Sequence, residues 1–404
     1  MAQLVDIKDL TIGLANEIIG SDFFSVSKTG NIVDIEGQDT WKLVDVGEKI
    51  TNSSNLGLDN FAQKMLARIS EVYITEDIYK SELGDFLTMP REFYGALEFI
   101  TVLPYTYQSG DLFNVADGTD FSSDEHTYHK PSIVSKFYNE IKDIKVVYST
   151  TEESMKTAFT SWEEMEKLYA GMALAVQNTI EVALDAWKHA LLSAGVAISD
   201  DNTGTARHLL TEYNALMATI DEDWTNINAE EARQNQGFLV YAVREIEKTY
   251  KQFGVMSTAF NDGEYPTFSN DTRLVLLNDF VLDVKYNLDR ISFHNEDIDL
   301  PNYKAITQWQ GHNSQSAGAF SYENNSSIMI SADATEKLGI GTSAYSASDC
   351  IGLMYDNKGI AISPLRRKTT SSYTASADFW NLYNFVITDY LINTNRNIVA
   401  FFID

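Results

Sequence analysis

The sequence predicts an α+β fold. Three observations carry that reading: an uninterrupted amphipathic helix pattern from Ser161 to Ala194, a β-rich segment ahead of it, and aromatic strands that run to the C-terminus after a large insertion.

Residues 1 to 56 mix short apolar clusters (Leu10, Ile12, Leu14, Ile18; then Ile32, Val33, Ile35) with polar residues at no sustained period, so they read as an arm with brief helical or strand pieces. From Leu58 to Ile69 a short amphipathic helix is set out by Phe61, Met65, Leu66 and Ile69, and Val72 to Tyr79 is β-prone. Between Leu87 and Ser149 lie two stretches rich in aromatic and β-branched residues. Phe99, Ile100, Val102, Tyr105 and Tyr107 mark an outgoing arm; Ile133, Phe137, Ile141, Ile144, Val146 and Tyr148 mark the return. The link from Ser109 to Pro131, with Gly110, Asp111, Asp117, Gly118 and Asp120, has turn-forming composition. A long two-stranded ribbon is poorly stable alone in water, so this one is expected to rest on something, such as another copy of the chain.

The helix is marked at its start by Ser161 and Glu164, the spacing of a capping box. Trp162, Met165, Leu168, Tyr169, Met172, Val176, Ile180, Ala183, Trp187, Ala190 and Leu191 recur at intervals of three and four, which gathers them on one face. Glu163, Lys167, Gln177, Asn178, Glu181, Asp185 and Lys188 line the other, while the run between Tyr169 and Val176 is apolar enough to be covered all round. Gly195 stands where a left-handed C-terminal cap is expected. At ~1.5 Å per residue the rod is roughly 50 Å long.

Residues 197–345 read as an inserted α/β domain: helices at Ala206–Ile220 and Ala229–Phe253, a strand at Arg273–Leu277, a helix or turn at Asp279–Tyr286, and Gly-, Ser- and Asn-rich loops from Gln308 to Ser348. Strands then follow at Ile351–Tyr355, Ile360–Ile362, Phe379–Ile392 and Ile398–Phe402, expected to pair with each other beside the long helix.

Composition excludes several functions. The chain has 404 residues and a formal net charge of −28, with its acidic residues scattered. Such a surface repels nucleic acid, and the one compact basic run is Arg366, Arg367, Lys368; a sequence-specific DNA binder needs far more concentrated cations. Cys350 is the only cysteine, so the fold cannot rest on an intrachain disulfide. Asp6, Lys8 and Asp9 break any apolar signal region, and no stretch approaches the ~20 apolar residues of a membrane span.

No catalytic, cofactor-binding or metal-ligating residue is assigned. His126 and His129 with Asp124 and Glu125 offer an H-x-x-H pattern but sit in the turn-rich link, where a solvated loop is the better reading. His294 with Glu296, Asp297 and Asp299 lacks the spacing and glycine of a calcium loop. Gly339, Gly341 and Ser343 have no following G-K-S/T and read as a flexible loop. Cys350 reads as a small buried hydrophobe, and Trp162 and Trp187 as core. With 58 carboxylates, pairs suited to hydrolysis can be drawn anywhere and decide nothing.

The order of elements resembles the major capsid proteins of tailed bacteriophages, the Hong Kong 97 fold, and most of all the major head proteins of small short-tailed phages (podoviruses). Two stretches carry the resemblance: ESMKTAFTSWEEMEKLYAGM, Glu153 to Met172, and LMYDNKGIAISPLRRKTTSSYT with the later FWNLYNFVITDYLINTNRNIVAFF, Leu353 to Phe402. The resemblance implies an N-terminal arm at 1–56, an extended loop at 87–149 reaching over an adjacent subunit, a peripheral domain at 57–86, 150–196 and 346–404 with the spine helix from Ser161, and an axial domain at 197–345. It further implies a non-enzymatic subunit without cofactor or metal, assembling with itself as hexamers and pentamers into an icosahedral or prolate shell around double-stranded DNA. A separate scaffolding protein and a portal are the implied partners, with no membrane; the implied location is the virion, assembled in the host bacterial cytoplasm. Some relatives carry an extra C-terminal immunoglobulin-like domain, whereas this sequence stops at its last strand. The alternatives are another virion subunit, of portal or tail, and an acidic intracellular hydrolase using 197–345 as a substrate domain.

Overall fold

The computed structural model describes residues 79–89, 97–102, 133–138, 141–151, 162–202, 205–288, 300–309, 326–337, 342–374, 376 and 379–404. The expected arm, the Leu58–Ile69 helix, the ribbon tip and the three loop clusters at 124–129, 294–299 and 339–341 lie outside the described residues. In chain order the elements are β1 (Leu97–Val102), β2 (Ile133–Tyr138), β3 (Ile141–Thr151), α1 (Trp162–Ala197), β4 (Arg207–His208), α2 (Leu209–Ile220), α3 (Ala229–Gln234), α4 (Gln236–Phe253), β5 (Thr272–Leu277), α5 (Asn278–Leu288), β6 (Tyr303–Ile306), β7 (Ile328–Ile330), α6 (Ala332–Lys337), β8 (Tyr345–Ala347), β9 (Cys350–Asp356), β10 (Ile360–Thr374), β11 (Phe379–Ile392) and β12 (Ile398–Phe402).

A five-stranded mixed sheet, in the order β4-β12-β9-β5-β6, forms the centre. Its three central strands β12, β9 and β5 are apolar on both faces over most of their length, which is why they read as continuous hydrophobic runs in sequence. In β12, Ile398, Ala400 and Phe402 face the core beneath the end of α1, while Val399, Phe401 and Ile403 face α2, α4 and α5. In β5, Val275 and Leu277 take the first side and Leu274 and Leu276 the second. β5 and β6 run parallel, joined through α5, and β4 is parallel to β12.

Beside it stands a three-stranded antiparallel sheet, β10-β11-β3. Ile144, Val146 and Val386 on one face pack against Val176 and Ile180 of α1. The middle of α1 thus serves the small sheet and its last turns serve the large one, a rigid link between two layers.

Several sequence expectations change here. The strands after Ile351 do pair with one another, β9 with β12 and β10 with β11, but the two pairs belong to different sheets, β9 and β12 lying in the large one between β5 and β4. Residues 141–151 are not the return arm of the ribbon, because Ile141 to Thr151 pairs with Phe379 to Asp389. Gly195 is not a cap: the helix runs through it to Ala197 and leaves by a π-helical turn, Ile198–Asn202. A Cβ at Gly195 would meet Ile360 Cδ1 at 2.5 Å and Leu353 Cδ2 at 3.1 Å, so the glycine lets helix and sheet approach closely. Full coverage of α1 falls on its last residues, 191–197, and not on the stretch from Tyr169, where Gly171 and Ala175 are exposed. Nor are Asp185 and Lys188 solvated; they are 2 % and 5 % exposed, covered by residues 79–89.

Candidate functional site

Where polar groups are buried, they are fastened structurally. Tyr79 Oη donates to Asp185 Oδ2 at 2.9 Å, Ser81 Oγ donates to Asp185 Oδ1, and Lys188 Nζ donates to the Gly84 carbonyl at 2.7 Å. Met89 N donates to the Ile362 carbonyl, and Ile362 N to that of Leu87, both at 2.9 Å. With Leu83 and Leu87 in the main core, this segment is clamped to both α1 and β10. His189, one turn after Asp185, is held below its ordinary pKa by burial, against the opposing pull of Asp185 and Glu82. Its Nδ1 has no hydrogen-bond partner.

A second network lies between β4, α2 and α4. Arg207 Nε and Nη2 donate to Glu212 at 2.7 and 2.5 Å, and Nη2 also reaches Glu245 at 3.1 Å. Burial alone would raise the Glu212 pKa, but the forked bond from Arg207 holds it below the usual range, while burial and the neighbouring carboxylates push Tyr241 up to about 12. A general base needs a free, poised lone pair; these groups are spent on one another. Cys350 is wholly buried, burial raises its thiol pKa, and its carbonyl accepts from Trp309 Nε1 at 2.8 Å. Trp187 is half-buried against both cores. Among the described residues no group of three or more His, Cys, Asp or Glu is placed to hold a metal, and no helix is long and apolar enough to cross a membrane.

β1 and β2 pair antiparallel, Leu97 opposite Tyr138 through Val102 opposite Ile133, in a sheet of their own. That register puts Ile100, Val102 and Ile133 on one face, and they are 60 %, 61 % and 57 % exposed. β1 borders a cleft of about 350 Å³ shared with Phe268, Asp271, Lys358 and Arg396.

The other open feature is β10, an edge strand. It extends well past the Ile360–Ile362 segment expected from sequence, with Pro364 at a register shift against β11. An edge with a bulge is where a strand tolerates proline, which has no N–H to donate. Arg366, Arg367 and Lys368 follow, all exposed. Arg366 and Arg367 line a cleft of about 410 Å³ with Glu181, Leu184 and Lys188 of α1. Lys368 lies opposite Phe385, which lies opposite Lys145, whose Nζ sits 4.4 Å from the Tyr383 ring centre. Sequence reading picked out the basic run; its place on a sheet edge depended on the bulge.

Comparison with known proteins identifies the fold and the family. A chain from the capsid structure of Staphylococcus phage Andhra superimposes with a TM-score of 0.50 at 11% identity, covering 82% of this chain and 87% of that one. A chain from the structure of the head fiber and inner core protein gp22 of native bacteriophage P68 gives 0.51 at 10% identity, again over 82% and 87%. These likenesses establish the α+β, Hong Kong 97-like fold that the sequence led us to expect. No curated protein sequence matches the chain. The profile of the Phi29-like phage major capsid protein family matches residues 27–402. The chain therefore belongs to the Phi29-like phage major capsid proteins, and is a structural component of the virion, not an enzyme.

Proposed function

We propose that this subunit forms the hexamers and pentamers of an icosahedral or prolate shell around double-stranded DNA, built with a separate scaffolding protein and a portal. The observation that carries the reading is the β1–β2 ribbon, which among the described residues pairs with no third strand and leaves Ile100, Val102 and Ile133 exposed. A closed shell needs such heterologous contacts, a projecting element of one copy against a different surface of the next. On this reading residues 87–138 are the extended loop over the neighbour, 1–56 the arm, α1 the spine of a peripheral domain with β3, β10 and β11, and 197–345 the bulk of the axial domain, to which β9 and β12 contribute through the central sheet. The scattered acidic surplus suits a container whose wall must not hold its DNA tightly.

The test is electron microscopy of the full-length protein, alone and with the scaffolding protein encoded by the same phage. Shells, hexamers or pentamers are expected, with uniform particles only when the scaffolding protein is present. A compact monomer under every condition, or a ring of one fixed copy number, contradicts the proposal.

A further inference from the structure

In a chain of net charge −28, Arg366, Arg367 and Lys368 form the only compact basic run. All three are exposed, and no ion pair among the described residues uses any of them, although Asp85 and Glu181 line the same cleft. Four other described arginines are engaged, Arg207 with Glu212 and Glu245, Arg233 with Asp283 and Asp349, Arg396 with Asp356, and Arg273 over the Phe86 ring, while Arg244 is exposed on α4 and not in a run of cations. The strip runs along the edge of a sheet, and Lys145 adds a fourth positive charge across the sheet from Lys368.

The complementary feature lies in the loop carried by the ribbon. Between Arg91 and Lys130 the sequence holds no lysine or arginine, but it does hold Asp111, Asp117, Asp120, Asp124 and Glu125 between the ends of β1 and β2. We propose that the Arg366–Lys368 strip on β10 is the docking site for this acidic loop of a second copy of the chain, a charge-directed contact that sets which surfaces of neighbouring subunits meet. The occupant follows from charge: a cationic edge on an acidic molecule attracts an anionic segment, and a loop without cations supplies no competing repulsion. Lysine and arginine on a bare edge also deter strands that lack matching charge. The inference rests on the shell-forming reading and adds to it the residues that select the contact. Because Arg366, Arg367 and Lys368 are solvent-exposed, the contact weakens as salt rises.

The experiment uses the full-length protein in the shell-assembly assay. Three forms are compared: Arg366→Glu/Arg367→Glu/Lys368→Glu; Asp117→Lys/Asp120→Lys/Asp124→Lys/Glu125→Lys; and a chain carrying both sets. Each one-sided reversal is expected to cut particle yield by at least about tenfold while leaving the subunit's melting temperature unchanged, and the two-sided chain to recover most of it. Mixing the two one-sided variants is expected to restore co-assembly, because each then meets its complement on another copy. Assembly of the strip reversal at the wild-type yield overturns the inference, as does a loss that neither the two-sided chain nor the mixture repairs. Rescue by the two-sided chain without rescue by mixing places the contact within one chain and overturns the docking of a second copy. A strip reversal whose sole effect is weaker retention of double-stranded DNA in a gel shift also overturns it, in favour of a nucleic-acid contact. Should the strip reversal fold poorly, Arg366→Gln/Arg367→Gln/Lys368→Gln with a salt series decides the matter: a flattened dependence of yield on salt supports the contact, and an unchanged one overturns it. Wild-type protein that forms no shells at any salt refutes the shell-forming reading itself, a different outcome from shells indifferent to the charge of the strip.

Discussion

The five-stranded sheet and the β1–β2 ribbon use similar residues to opposite effect. In the sheet, β9 and β12 are apolar on both faces and both faces are covered, by the end of α1 on one side and by α2, α4 and α5 on the other. In the ribbon, Ile100, Val102 and Ile133 belong to the same residue classes, yet among the described residues no third strand pairs with either arm. Burial at ~25 cal/mol per Å² stabilises the sheet within one chain. The same return is open to the ribbon only when another surface covers it. A shell subunit needs both kinds of region: one that folds before assembly, and one whose apolar surface is completed by assembly.

The comparison can be broken hardest from the finished side. Phe401 is wholly buried in the central sheet, so Phe401→Ala should cost about 3–5 kcal/mol, read as a large fall in the subunit's melting temperature with particle loss as a consequence of misfolding. Gly195→Ala drives a methyl toward Ile360 Cδ1 and should cost about 1–3 kcal/mol, visible in the same melt; an unchanged melting temperature would mean that helix and sheet are not so tightly apposed.

A smaller effect sharpens the clamp at residues 79–89. Burial holds the His189 pKa below that of the unfolded chain, so its contribution to stability is present above pH ~6.5 and is lost as pH falls through the lowered folded value. Acidification from pH 7.5 to 5 should therefore lower the wild-type melting temperature more than that of His189→Gln, which takes up no proton. Equal losses in the two proteins would remove His189 from the account.

How far the sequence was legible follows the range of the forces involved. The helix from Trp162, and the strands Phe379–Ile392 and Ile398–Phe402, were read closely because periodicity is a local signal. Distant strand partners were not: nothing near Cys350 or Ile398 in the chain tells that β9 also joins β5, more than 70 residues upstream, or that β12 also joins β4. Gly195 was misread because a glycine that admits a neighbouring sheet and one that caps a helix look alike in a one-dimensional pattern. Asp185 and Lys188 were placed in water because their partners, Tyr79, Ser81 and Gly84, lie about a hundred residues away. The basic run was visible as composition, but the edge it occupies depended on a bulge at Pro364.

The most direct test of the claim that the ribbon is completed by other copies is a variant with Ile100→Ser, Val102→Ser and Ile133→Ser, assayed for subunit stability and particle yield together. Surface substitutions of this kind should move subunit stability by no more than about 0.5 kcal/mol each, so the melting curve should barely shift while shells disappear. Wild-type yields of normal particles, or a loss of particles explained by an equal loss of folded subunit, would contradict it.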